Sequence, residues 1–122
     1  MASSWHALHY PLKARSEEKV KELFRMSGRP QFQIYGDDGR LVGRLLSTMA
    51  FVGREMAVRV IEVEGPLGLV ATHISRQDTI REFEQELQEH LAVPRDMTTP
   101  QGARDFFRSA SMECVLTRRH DR

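Results

Sequence analysis

Only one cysteine, Cys114, stands in the 122 residues, so no internal disulfide can form and a zinc cluster built on several thiolates is excluded. That cysteine usage fits a reducing compartment, and a cytoplasmic location is the expectation. A charge excess is missing as well: 18 Lys and Arg face 17 Asp and Glu, for a formal net charge of +1. Phosphate-driven binding draws on a cationic surplus, so no nucleic-acid partner is expected. The longest nearly apolar run, Leu45 to Val52, is interrupted by Ser47 and Thr48 and falls far short of the roughly 20 residues that cross a bilayer. The start, Met1-Ala2-Ser3-Ser4-Trp5-His6, lacks the basic residue and apolar run of a secretory signal. No membrane association is expected. Glycine-rich phosphate loops are also lacking. Gly36-Asp37-Asp38-Gly39 has the wrong spacing, and Gly65-Pro66-Leu67-Gly68 carries no lysine, so nucleotide binding has no motif behind it.

What is present is a globular mixture, 40% hydrophobic and 29% charged, in a chain long enough for one domain over residues 1–122. Period-two alternation of His6, Leu8, Tyr10 and Leu12 predicts a first strand over Trp5 to Leu12. Ser16 followed by Glu17 and Glu18, with Val20, Leu23 and Phe24 at helical spacing, predicts a helix over Ser16 to Met26, ended by Gly28 and Pro30. Asp38-Gly39 is a turn signal opening a strand from Arg40 to Val52, and Gly53-Arg54 returns it along Glu55 to Glu64. Two helical stripes follow, Val70, Ala71 and Ile74, then Ile80, Phe83, Leu87 and Leu91, with a break or bend at Gln77 to Thr79. A short helical turn over Ala103 to Ser109 and a last strand over Met112 to Thr117 complete the chain. The order is that of an α+β, ferredoxin-like βαββαβ fold. Residues 31–40 fit a lid, an extra strand or a loop equally well.

Helices cover one face of such a sheet, and the other must meet water or a partner. Along Glu55 to Glu64 one alternate set is Ala57, Arg59, Ile61 and Val63, the other Val58, Val60, Glu62 and Glu64. Neither set is cleanly polar, which predicts a homodimer with stacked sheets.

Among groups that carry chemistry, His6 and His9 have a metal-like spacing, but residues three apart on a strand point to opposite faces and cannot share an ion. His9 shares its face with Trp5; it either lines a cavity or meets solvent at the strand end. His73 flanks the stripe of Leu67, Val70, Ala71 and Ile74. At a pocket edge its imidazole suits proton abstraction near neutral pH, whereas a boundary histidine bonding a loop carbonyl would occupy the same place. Arg59 lies between Ala57 and Ile61, where a guanidinium needs an anion. A substrate enolate or phenolate, Glu62, Glu64 or Asp96 would each satisfy it. RNA-recognition domains share this element order but stack bases on central-strand aromatics, and Met56 to Glu64 has none.

Several segments together resemble the SchA/CurD-like domain found in aromatic polyketide and spore-pigment gene clusters. They are Gly43-Arg44-Leu45-Leu46-Ser47-Thr48-Met49-Ala50-Phe51-Val52 and Val58-Arg59-Val60-Ile61-Glu62-Val63-Glu64-Gly65, then His73 with Arg76-Gln77. Leu91-Ala92-Val93-Pro94-Arg95-Asp96 follows, running into Thr99-Pro100-Gln101-Gly102-Ala103-Arg104-Asp105-Phe106-Phe107. The resemblance spans most of the chain. It implies a dimeric α+β barrel architecture and a part in shaping or oxidising an aromatic polyketide. Many relatives carry two copies of the domain where this chain has one, which strengthens the homodimer expectation.

The leading expectation is a cofactor-independent monooxygenase acting on a polycyclic phenol or anthrone, with molecular oxygen as co-substrate and no metal or organic cofactor. In it His73 is the base, Arg59 the enolate anchor and His9 a second donor, and Trp5, Tyr10, Met49 and Phe51 are the cavity walls. A polyketide aromatase or cyclase, and a non-catalytic polyketide-binding accessory subunit, are the alternatives.

Overall fold

The computed structural model describes residues 3–120. Its elements are β1 (Ser3–Pro11), α1 (Glu17–Met26), β2 (Gln33–Tyr35), β3 (Leu41–Gly53), β4 (Met56–Glu64), α2 (Leu67–Ser75), α3 (Asp78–Gln88), α4 (Pro100–Ala110) and β5 (Ser111–Glu113). The sheet is antiparallel throughout, in the order β2-β3-β4-β1-β5. Setting aside the short edge strand β2, this is the α+β, ferredoxin-like arrangement the sequence predicts.

The register shows which residues share a face. Leu8 pairs with Arg59, His6 with Ile61 and Tyr10 with Ala57, so even-numbered β1 residues and odd-numbered β4 residues look toward the helices. There they form two buried clusters. One gathers Leu8, Tyr10, Leu12, Val20, Phe83, Leu87 and Leu91; the other gathers Ile34, Leu45, Ile61, Val63 and Val70. Burying side chains of this size is worth about 1.5–3 kcal/mol each relative to exposure.

Two elements depart from the sequence expectation, and one undecided stretch takes a definite form. The undecided stretch 31–40 holds the three-residue strand β2, followed by a turn in which Gly39 has φ +79° and donates its N–H to the Gly36 carbonyl at 2.9 Å. The turn expected over Ala103 to Ser109 is a full helix, α4. Pro100 opens it, and the Thr99 hydroxyl caps it by accepting the Gly102 N–H at 3.0 Å. The last strand is shorter than expected and ends at Glu113, because its only partner is the edge of β1 from His6 to Leu8.

Glycine matters most at Gly43, where a Cβ would lie 2.6 Å from both the Glu64 carbonyl oxygen and Val70 Cγ2. Its bare backbone lets α2 close onto the sheet.

Candidate active site

Between the helix-facing side of the sheet and α1, α2 and α3 lies a cavity of about 200 Å³. Most of its wall is apolar: Leu8, Phe24, Leu45, Ile61, Val70, Ile74, Ile80, Phe83 and Phe107. Among the described residues, two charged side chains reach it, Arg59 from β4 and Glu84 from α3.

These two form an ion pair. Arg59 Nη1 lies 3.8 Å from Glu84 Oε1, with the side chains 17% and 10% exposed. Arg95 donates to the other carboxylate oxygen of Glu84, and its own side chain is 5% exposed. Each guanidinium also packs on aromatic faces. Arg59 sits over Phe83 (5.2 Å) and Phe24 (5.7 Å), and Arg95 over Phe106 (4.2 Å) and Tyr10 (5.4 Å), contacts that favour a partly desolvated cation. Two positive charges therefore share one negative charge. Among the described residues, Nε and Nη1 of Arg95 are buried with no hydrogen-bond partner.

Arg59 thus finds an anion, but Glu62, Glu64 and Asp96 are not the partner. The Glu62 carboxylate accepts from the hydroxyls of Ser3 (2.9 Å) and Ser47 (3.0 Å), and Glu64 lies 3.8 Å from Arg44. Asp96 accepts from the hydroxyl and N–H of Thr98, which hold its carboxyl below the ordinary range. The actual partner had a signal in the sequence. Glu84 follows Ile80 by four residues and precedes Leu87 by three, inside an apolar helical stripe, where a carboxylate needs a reason. Arg95 has no such signal, since it lies in the irregular stretch between α3 and α4.

The expected site residues are not all brought together. Arg59 lines the cavity and Met49 borders it. Tyr10 is 1% exposed and packs in the core, with its ring 5.4 Å from that of Phe106; burial raises its hydroxyl pKa, opposed by the nearby Arg59 guanidinium. His73 is half-buried on α2, but the residues of that helix on the cavity wall are Val70, Ala71, Ile74 and Ser75. At 100° per residue, position 73 falls on the flank of that stripe.

His9, Trp5 and Phe51 lie across the sheet from the cavity. His9 and Phe51 both pair with Val58, and Trp5 pairs with Glu62. The cause at Phe51 is a β-bulge, an irregularity between Leu45 and Ser47: Leu45 pairs with Val63, but Ser47 already pairs with Glu62. The extra residue, Leu46, shifts the alternation by one. Thr48 and Ala50 turn inward, while Met49 and Phe51 join the face opposite the helices. That face is open and carries exposed apolar side chains, Phe51, Met49 and Met112 at 56%, 43% and 40% exposure, together with Ser47 and Glu62. Among the described residues, no group of three or more His, Cys, Asp and Glu is placed to hold a metal ion. No helix among them is long and apolar enough to cross a membrane.

Three known proteins are similar to the chain. Polyketide synthase CurD of Streptomyces cyaneus is 38% identical over 110 residues, which are 90% of this chain and 29% of that protein. Protein SchA of Streptomyces halstedii is 34% identical, over 90% of this chain and 28% of its own length. The 42.8 kDa protein in the whiE locus of Streptomyces coelicolor is 33% identical, over 90% and 26%. The chain spans less than a third of each of these relatives. No solved structure matches. Residues 3–119 fit the family described as the SchA/CurD like domain, and the chain belongs to that family.

Proposed function

We propose that the chain binds a flat, acidic ring system derived from an aromatic polyketide in the cavity beside Arg59 and oxygenates it without metal or organic cofactor. The observation that carries this reading is the cluster of Arg59, Glu84 and Arg95, two guanidiniums on one carboxylate, with Arg59 and Glu84 on the wall of an otherwise apolar cavity. An enolate or phenolate oxygen next to Arg59, the guanidinium of the two that lines the cavity, balances that excess.

Glu84 is the carboxylate on the cavity wall, and no histidine lines that wall, so the proton acceptor in this proposal is Glu84 rather than His73. The acidity must come from the substrate, whose enolate gains from the positive charge at Arg59 in a low-dielectric site. The resulting carbanion is its own reductant. For an anthrone-type methylene, CH₂ and O₂ give C=O and H₂O, and the four electrons that reduce oxygen leave the ring carbon. The apolar wall keeps water from the reactive intermediate.

The test is oxygen uptake by the purified protein with an anthrone or naphthol. One molecule of oxygen consumed per product is expected, and product formed at an unchanged rate under strict anaerobiosis overturns the oxygenase. The runner-up is a cyclase. The pairing of Arg59 with Glu84 favours it, because an aldol condensation needs a cation on a carbonyl oxygen and a carboxylate to move a proton. Anaerobic turnover selects that reading. Binding without turnover until a second protein is added selects the accessory-subunit reading instead.

The open face of the sheet, with Ala7, Met49, Phe51, Val58 and Val60, belongs in this proposal to a homodimer contact of the dimeric α+β barrel kind, and His9 and Trp5 lie there with it. Apolar surface of that extent on a small domain calls for a partner.

A further inference from the structure

Beside the apolar cavity runs a second, wider hollow of about 470 Å³ between α2 and α4. The two share four wall residues, Ala71, Ser75, Met97 and Phe107, so they adjoin along one seam. Their chemistry differs. The second hollow is lined by Arg76, Arg81, Arg104 and Arg108 together with Thr72, Thr98 and Thr99, and among the described residues no carboxylate lines it. None of the four arginines forms a salt bridge among the described residues, and only Arg104 has a side-chain partner, the Gln101 carboxamide oxygen at 3.0 Å. In a chain with a formal net charge of +1, four unpaired guanidiniums around one groove are a local concentration of charge. They do not reflect the whole surface.

The size of the inner cavity points the same way. About 200 Å³ is below the roughly 300–1,000 Å³ of pockets that enclose a drug-sized ligand. A ring system seated beside Arg59 with a substituent chain therefore extends beyond this cavity, and the seam at Ala71, Ser75, Met97 and Phe107 leads into the arginine groove.

We infer that the two hollows form one bipartite site: an apolar end for a ring body, and a guanidinium-lined groove for an anionic group carried on a chain from that ring. The anion is a carboxylate or a phosphate ester, both of which guanidinium forks engage through paired N–H donors. This rests on the ring-binding reading of the inner cavity.

Three probes test it by titration in low salt: 4-(2-naphthyl)butanol, 4-(2-naphthyl)butyrate and 4-(2-naphthyl)butyl phosphate. The anionic probes should bind at least about tenfold more tightly than the alcohol, since charge-assisted hydrogen bonds are the stronger class. Added salt should erode that preference. A preference for phosphate over carboxylate identifies a phosphate ester as the natural group, and the reverse order identifies a free acid. In the double variant Arg104→Gln/Arg108→Gln, made on the exposed side of α4, the preference should fall at least about fivefold, with the alcohol binding as before. Equal affinities in the unaltered protein, or an anion preference untouched by the double substitution, overturn the inference. If 4-(2-naphthyl)butyl phosphate binds no more tightly than inorganic phosphate, both are lost in the double variant and the alcohol does not bind, the bipartite site is overturned because the ring-binding reading of the inner cavity falls, while the anion groove stands.

Discussion

At the scale of single residues, the site turns on where unpaired charge is placed. Arg59→Gln removes the proposed anchor for the developing oxyanion and should lower kcat by about 10²–10³. His73→Ala, off the cavity wall, should change it less than threefold. Oxygen uptake by both variants, with circular dichroism to verify folding, checks the pair, and the opposite ranking would return the chemistry to α2. Glu84→Ala leaves two guanidiniums without their shared counter-charge and should cost about 3–5 kcal/mol of stability, read by urea unfolding. Tyr10 carries a pH signature. Burial holds its hydroxyl above the ordinary value of 10.0, so the folded state binds that proton more tightly than the unfolded chain does. The associated stability is complete below pH 10 and is lost as pH rises through the folded-state value. Tyr10→Phe should therefore lose less Tm than the parent protein above pH 10. Parallel declines in the two would place the alkaline loss elsewhere.

At the scale of elements, the bulge at Leu46 and the start of α4 decide the most. Alternation starting from Leu45 places Met49 and Phe51 on the helix side, and the bulge reverses them. The sequence carries no glycine or proline at positions 45–47 to announce this. The start of α4 is legible afterwards in Thr99-Pro100, an N-cap followed by proline at the first helical position, yet the neighbouring prolines and glycine read first as punctuation. Thr99→Ala should lower stability by about 1 kcal/mol in thermal melts. No measurable change would mean that Pro100 and the packing of Phe106 and Phe107 hold the helix start unaided. Gly102 packs so tightly against the Asp96 carbonyl that any side chain there would push the Asp96 to Thr99 segment off the helix. That segment carries Met97, the residue at the seam of both hollows.

For the whole molecule, the open sheet face presents Phe51, Met49 and Met112 to solvent. The protein should sediment as a dimer, and Phe51→Glu, placed where the side chain is 56% exposed, should give a folded monomer. A parent chain that sediments as a monomer at micromolar concentration would refute the stacked-sheet reading. A dimer that survives the substitution would place the contact on another face.

Periodicity in the sequence was enough to determine the order of the elements other than β2 and α4, the ferredoxin-like arrangement and the two faces of β4, because alternation and helical spacing are local properties of the chain. It also marked Arg59 as a guanidinium needing an anion, since a charge between Ala57 and Ile61 has few places to go. Which anion meets it was a tertiary decision. Glu84 and Arg95 lie 25 and 36 residues further along and reach Arg59 only when α3 and the stretch before α4 fold over the sheet. The same holds for His9, Trp5 and Phe51, whose separation from the cavity depends on strand register and one inserted residue, quantities set by cross-strand pairing rather than by any neighbour in the chain.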